Sequence, residues 1–337
     1  LPYGAFLGKI GKFYDTTSNP DFDLLPGEPS TEGTASRLPT IRELLGVSDM
    51  SRPIHHAIFT LVFSICTSLT LTGAPLRAVE VAVPDENLAK VLKEKLEQKQ
   101  IKKDKFESED LATIYILHAN DRQIKDLTGL EHCVNLAEVR LAKNQIENVA
   151  PLSACKNIQS LDLAHNNIQD ISPLGGLVKL QYLNIEHNQV VSLSAAESLK
   201  ALASLYADHN KIQCLAPVID LPRLFTLHAS HNEIKDLHPV ASLTRLTSLG
   251  VAHNQICDVH PLTELHDLNW TFLQGNQIRN IAPLVTMAQQ DAAGEQRFAP
   301  FWNLYLGDNP VPEDVRDGQY EALRQAGVRL NIEANVP

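Results

Sequence analysis

One pattern of apolar and polar positions recurs along most of the chain. With Asn166 as the reference, apolar residues precede it by eight, five and three positions (Ile158, Leu161, Leu163) and follow it by two, five, eight and eleven (Ile168, Ile171, Leu174, Leu177). Leu246, Leu249 and Val251 stand in the same way before Asn254. The asparagine itself returns every 22 residues, as Asn144, Asn166, Asn188, Asn210, Asn232, Asn254 and Asn276, with Asn309 coming 33 residues after the last of these. Arg122 holds the register one repeat earlier. A self-similar period of this length is the mark of a solenoid, in which no single unit can bury its own apolar face and stacked copies share one core.

The spacing also predicts the local elements. Alternation just before the asparagine gives one short strand per repeat, and successive strands must run parallel. Beyond it the apolar spacing becomes three, which suits 3₁₀ or extended turns better than an α-helix. Pro151, Pro173, Pro217, Pro239, Pro261 and Pro283 fall at one register in those turns, where a fixed φ and a missing donor are tolerated. The asparagine stands where the chain leaves the strand and bends toward a dry core. Its amide both donates and accepts, so it can satisfy backbone groups on either side of the bend. Removing one should leave groups unsatisfied at roughly 1–3 kcal/mol. End repeats would expose core, so caps are expected. Pro84 to Gln98 carries Leu88, Val91, Leu92 and Leu96 at helical spacing. Glu313 to Ala326 reads as a helix stopped by Gly327 and followed by a closing strand, and the 11 extra residues before Asn309 read as a helical insertion near 286–299.

These units match the leucine-rich repeat pattern L-x-x-L-x-L-x-x-N-x-L. The stretches "NQIENVAPLSACKNIQSLDLAHN" and "NEIKDLHPVASLTRLTSLGVAHN" resemble the 22-residue bacterial repeats of the internalin type, and "VAVPDENLAKVLKEKL" followed by "DLTGLEHCVNL" resembles the N-terminal cap of such proteins. The resemblance spans about residues 80–311. It implies an α/β solenoid: a leucine-rich repeat horseshoe with a parallel concave β-sheet, a 3₁₀ or extended convex side, a helical N-terminal cap and a helix-strand C-terminal cap. It also implies a secreted or surface-attached protein that binds other macromolecules.

Upstream of the repeats, Met50 is followed by Arg52, an uncharged apolar run from Ala57 to Leu71, and Leu76-Arg77-Ala78 before Val79. That is the layout of a secretory signal peptide, a retained membrane anchor being the alternative reading. The expected organisation is therefore a disordered or untranslated extension over 1–49, a signal peptide over 50–78, an N-terminal helical cap over 79–110, about nine repeats over 111–311, and a C-terminal cap over 312–337. The mature chain should hold no stable membrane span and should be secreted, periplasmic or at the cell surface.

Candidate chemistry changes this picture little. A formal net charge of -11 argues against a nucleic-acid partner. No metalloprotease helix, nucleophile elbow, paired CxxC or dinucleotide loop is present, so neither an enzyme nor a cofactor is expected. His165, His187, His209, His231 and His253 precede five of the asparagines. A straight row of this kind points its rings in parallel rather than at one ion, so no metal site is expected, although His209, His231 and His228 form the nearest approach to a trio. Stacked imidazoles should resist charging together, which would make the row sensitive to pH. Cys133 and Cys155 occupy equivalent positions in adjacent repeats and read either as small core residues or as a disulfide. Function should lie on outward strand positions. Those carrying ligand-binding potential are Arg140, Asp162, Tyr182, Glu186, Tyr206, Asp208, His228, Trp270, Phe272 and Tyr305. Their aromatics fall into two patches, Tyr182 with Tyr206 and Trp270 with Phe272 and Tyr305, separated by a shallow groove at Gly250 and Ala252. Exposed rings on a rigid sheet favour a protein partner, with carbohydrate as the second reading and a hydrolase using groove carboxylates as the remote third.

Overall fold

The computed structural model describes residues 79–333. The proposed extension at 1–49 and the signal peptide at 50–78 lie outside the described residues. The described part belongs to one unit, residues 78–336.

It opens with a cap. Strand β1 (Glu80–Val81) pairs antiparallel with β2 (Phe106–Glu107), and helix α1 (Glu86–Gln98) lies between them in sequence. Helix α1 buries Leu88, Val91, Leu92 and Leu96, one side of its surface, over the first repeat. Asp85 starts this helix and also ties it down. Its Oδ1 accepts the N–H groups of Asn87 and Leu88, while its Oδ2 accepts those of Lys125 and Asp126 at 2.8 and 3.2 Å. The first pair satisfies donors that a helix N-terminus leaves open. The second pair fastens the cap to the turn below. A short helix, α2 (Ser108–Leu111), leads into the array.

Ten three-residue strands then form one parallel sheet in strict chain order: β3 (Ile116–His118), β4 (Glu138–Arg140), β5 (Ser160–Asp162), β6 (Tyr182–Asn184), β7 (Ser204–Tyr206), β8 (Thr226–His228), β9 (Ser248–Gly250), β10 (Trp270–Phe272), β11 (Asn303–Tyr305) and β12 (Arg329–Asn331). Pairing follows the sequence period, so that Leu161 stands beside Leu183 and Leu183 beside Leu205. Strands β3 to β9 each return to the next through a 3₁₀ turn, and those at Ala150–Ala154, Ser172–Gly176 and His238–Ser242 carry proline in their first positions. The aliphatic ladder points inward throughout: Ile168, Leu174, Leu177, Leu180 and their equivalents are fully buried in one continuous core. The chain is thus a leucine-rich repeat solenoid.

Helix α3 (Ala282–Ala293) replaces the turn that would follow β10 and accounts for the extra residues before Asn309. What anchors this segment is Trp302, fully buried, whose Nε1–H donates to Thr271 Oγ1 at 2.8 Å while its ring meets Phe298 edge-on. Helix α4 (Glu313–Gln325) closes the far end; Gly327, at φ 94°, turns the chain into β12. Among the described residues no helix is long and apolar enough to cross a membrane.

Candidate recognition face

The asparagines set the geometry of everything beside them. Asn188 accepts the N–H of Ile168, one repeat back, at 3.0 Å, and donates to the carbonyls of Leu163 and Ile185 at 3.0 and 3.1 Å. Asn166, Asn210, Asn232, Asn254 and Asn276 repeat the set; Asn144 accepts two N–H groups, from Arg122 and Ile124. Asn309 does the same across the insertion, accepting from Ile278 and donating to Leu273. One side chain thereby closes the bend of its own repeat and the edge of the previous one.

To enter that bend, the residue before each asparagine adopts left-handed backbone. His165, His187, His209, His231 and His253 have φ of 51–55°, and Lys143 and Asp308 share the conformation at 58° and 56°. Histidine, aspartate, asparagine and glycine tolerate this region better than most residues. The histidines therefore owe their regular spacing to backbone conformation. Their rings stack along the array with centroids 4.1–4.3 Å apart.

Outward positions of the strands hold the predicted ligand-binding residues, and the structure redistributes them. Arg140 is exposed and paired with Glu138 Oε1 at 2.8 Å, which also meets His118. Beside it Asp162 is half-buried and accepts the N–H of Ala164. Asn184 donates to Glu186 Oε2 at 3.2 Å. Asp208 is only 5% exposed and accepts the N–H of Ser230 at 2.6 Å. Burial raises all three carboxyls above their ordinary range; for Asp208 burial and then the nearby Glu186 push it to about 8, against the lowering effect of the Ser230 N–H. These acids sit along one line with Tyr182 and Tyr206, whose rings are 5.5 Å apart and whose hydroxyls burial makes harder to ionise.

The expected groove at Gly250 is not there. Because Gly250 has no side chain, the His228 ring lies over it: a Cβ on Gly250 would stand 3.1 Å from His228 Cγ. From that seat His228 meets Tyr206 at 5.3 Å and Phe272 at 5.9 Å, each edge-on, and its Nε2 lies 2.9 Å from Ser248 Oγ. Phe272 stacks on Tyr305 at 4.7 Å, with Trp270 6.3 Å from Phe272. The two aromatic patches are consequently one line of rings, Tyr182–Tyr206–His228–Phe272–Tyr305. A second correction concerns exposure. Tyr206, Asp208, His228 and Phe272 are all at most 5% exposed, since the rings cover one another, whereas Tyr182, Trp270 and Tyr305 keep partly open faces. Burial drives the His228 imidazole down to about 4, so it is neutral at physiological pH.

Two further readings resolve here. Cys133 and Cys155 are buried free thiols, Cys155 Sγ lying 3.2 Å from the Leu130 carbonyl; the disulfide alternative is not formed. Burial pushes both thiols upward, Cys155 to about 12. The trio His209, His231 and His228 is not brought together, because His228 turns onto Gly250 while the other two stack in their row. Among the described residues no group of three or more potential ligands could hold a metal ion.

Residues 156–200 match the family model for leucine-rich repeats in two copies. A comparison with curated proteins by sequence finds no match. Among solved structures, an internalin (inlF) from Listeria monocytogenes is 27% identical, with a TM-score of 0.64 over 75% of this chain and 70% of that one. Internalin C2 from the same organism is 30% identical, with a TM-score of 0.57 over 60% of this chain and 90% of that one. A leucine-rich repeat protein of Leptospira interrogans, at 18% identity and a TM-score of 0.58 over 67% of this chain and 62% of that one, shares the fold.

Proposed function

This chain belongs to the bacterial leucine-rich repeat proteins of the internalin type, and from that membership we propose that it is a secreted, non-catalytic recognition scaffold that binds a protein partner on the outward face of its sheet. The observation that carries the reading is the unbroken line of rings from Tyr182 to Tyr305, flanked by carboxylates and mounted on a sheet whose register the asparagines hold rigid. Large rings in a fixed frame give contact area at little cost in side-chain entropy, which is why aromatic anchors dominate binding energy at interfaces. Asp162, Glu186 and Asp208 lie beside the tyrosines and are held back from ionising by burial. A partner's lysine or arginine placed there would supply the missing charge and could pack its stem on the Tyr182 ring. Partners with a basic, partly apolar surface are accordingly the best fit.

The same reading assigns residues 50–78 to an export signal absent from the mature protein, with 79–110, 111–311 and 312–337 as cap, repeats and cap. Carbohydrate is the second reading. It is favoured by Trp270 and Tyr305, partly open rings whose planes lie 17° apart and on which a sugar face could stack. Titrating the purified chain against arrayed extracellular proteins and arrayed glycans separates the two. Binding confined to proteins, weakened by Tyr182→Ala and by added salt, is the expected result. Binding confined to glycans would overturn it.

A further inference from the structure

The histidine row has a geometry that the recognition reading does not use. Its five rings form one stack with centroids 4.1, 4.1, 4.1 and 4.3 Å apart and planes 10–17° from parallel. The backbone leaves these rings little freedom to separate. Each histidine is held in left-handed conformation, precedes an asparagine locked into the core, and donates its own N–H across the sheet: His165 to Glu186, His187 to Asp208, His209 to Ser230, His231 to Ala252 and His253 to Gln274, all at 2.8–2.9 Å. The stack ends on Gly275, where a Cβ would collide with the His253 ring. A ring pushed out of contact would thus pull on the carbonyls that bear the outward residues of the neighbouring repeat.

Few charges stand ready to compensate protons in this row. Lys143 occupies the position before His165, and Lys211 follows Asn210 on the other side. The carboxylates in the flanking rows are Asp162, Glu186, Asp208 and Glu233. Asp162 and Glu186 are half-buried, Asp208 is buried, and all three resist ionisation, which leaves Glu233 as the open acidic neighbour.

We propose that the row is an acid-responsive seam: protons entering it drive apart rings that the backbone holds in contact, so the solenoid is rigid at neutral pH and loosens in mildly acidic surroundings. Burial, and after it the neighbouring rings, lower His187 to about 4 and lower His209 and His231 in the same direction. A base lowered in the fold binds protons more readily when unfolded. Stability is therefore whole above the unfolded value near 6.5 and falls as pH drops toward 4, because the unfolded chain takes up more protons over that window.

The test uses the whole chain and its His187→Asn/His231→Asn variant, asparagine being tolerant of left-handed backbone and unable to titrate. Melting is compared at pH 7.5 and pH 5. Wild type should lose roughly 3 °C or more beyond what the variant loses on acidification, the scale set by removing one strongly lowered imidazole and a second lowered in the same direction from a repeat array of this size. An equal loss in both would overturn the proposal. Imidazole resonances of the wild type followed by NMR give a readout that needs no variant. The interior rings should titrate below 6.5 with slopes shallower than a single site. Independent, full-slope titrations of His187, His209 and His231 at or above 6.5 would overturn the proposal even if the variant failed to fold.

Discussion

His228 and His231 are three residues apart in one repeat, yet they live in different chemistry. His228 points outward from β8, rests on Gly250, bonds Ser248 and is 3% exposed. His231 sits in the left-handed bend, exposed, as one ring in a uniform stack. The difference teaches that register decides what an imidazole does in this molecule. On the strand face, side chains differ from repeat to repeat and interlock into an irregular surface. In the bend they are nearly identical and simply pile up. Acidification disfavours the imidazoles, lowered in the row and at the buried His228 alike, and favours the carboxyls of the face, which are raised.

Both regions depend on the asparagines, so the sharpest way to break the comparison is to remove one. Asn188→Ala leaves the Ile168 N–H and the Leu163 and Ile185 carbonyls without their side-chain partner. Urea unfolding should show a loss of about 3 kcal/mol or more, from several buried groups at 1–3 kcal/mol each. Both the face and the row should lose order around β5 and β6, whose repeats hold the partners of Asn188. Next in size is Gly250→Val, which puts side-chain atoms where the His228 ring lies. Overpacking of this sort costs about 1–3 kcal/mol. It should split the ring line between Tyr206 and Phe272 while leaving the histidine stack intact, visible as shifted His228 and unshifted His209 and His231 resonances.

A smaller and more selective change is Asp208→Asn, which keeps an oxygen for the Ser230 N–H and removes the ionisable group. The folded Asp208 holds its proton up to about pH 8, far above the unfolded carboxyl near 3.8. The folded state therefore binds more protons than the unfolded state across that window, and wild type loses stability as pH rises through it. The variant should melt higher than wild type at pH 8 and show no advantage at pH 4. An equal difference at both values would mean that the carboxyl is not held neutral by the fold.

Much of the fold could be read from spacing alone. A period of 22 with seven apolar positions leaves one way to stack repeats, and Leu161, Leu183 and Leu205 fall side by side because the period fixes their register. The role of the asparagines was legible for a related reason, since a bend over a dry core demands a group that donates and accepts. The outward list misjudged exposure, since Tyr206, Asp208, His228 and Phe272 are covered by their neighbours. Gly250 looked like a gap in a row of letters, whereas across two strands it is the seat that lets His228 reach Phe272. Burial of Asp208 by neighbours on both sides was equally invisible along the chain. The left-handed bend did leave a signal: its positions hold histidine, lysine, aspartate and glycine and never a β-branched residue, from Asp121 to Asp308. Trp302, the anchor of the inserted segment, carried none, because its partner Thr271 lies 31 residues away across an interruption of the repeat.

The smallest expected effect on stability belongs to the change that bears most on the central claim. Tyr182→Ala with Trp270→Ala removes two partly open rings, one at the first end of the line and one beside its last members Phe272 and Tyr305, and should shift the melting midpoint little. Affinity for any protein that the wild-type chain captures from the extracellular array, measured by surface plasmon resonance, should fall by about 30-fold or more, the scale of a lost interfacial anchor. Unchanged affinity in a folded double variant would contradict the assignment of recognition to this face.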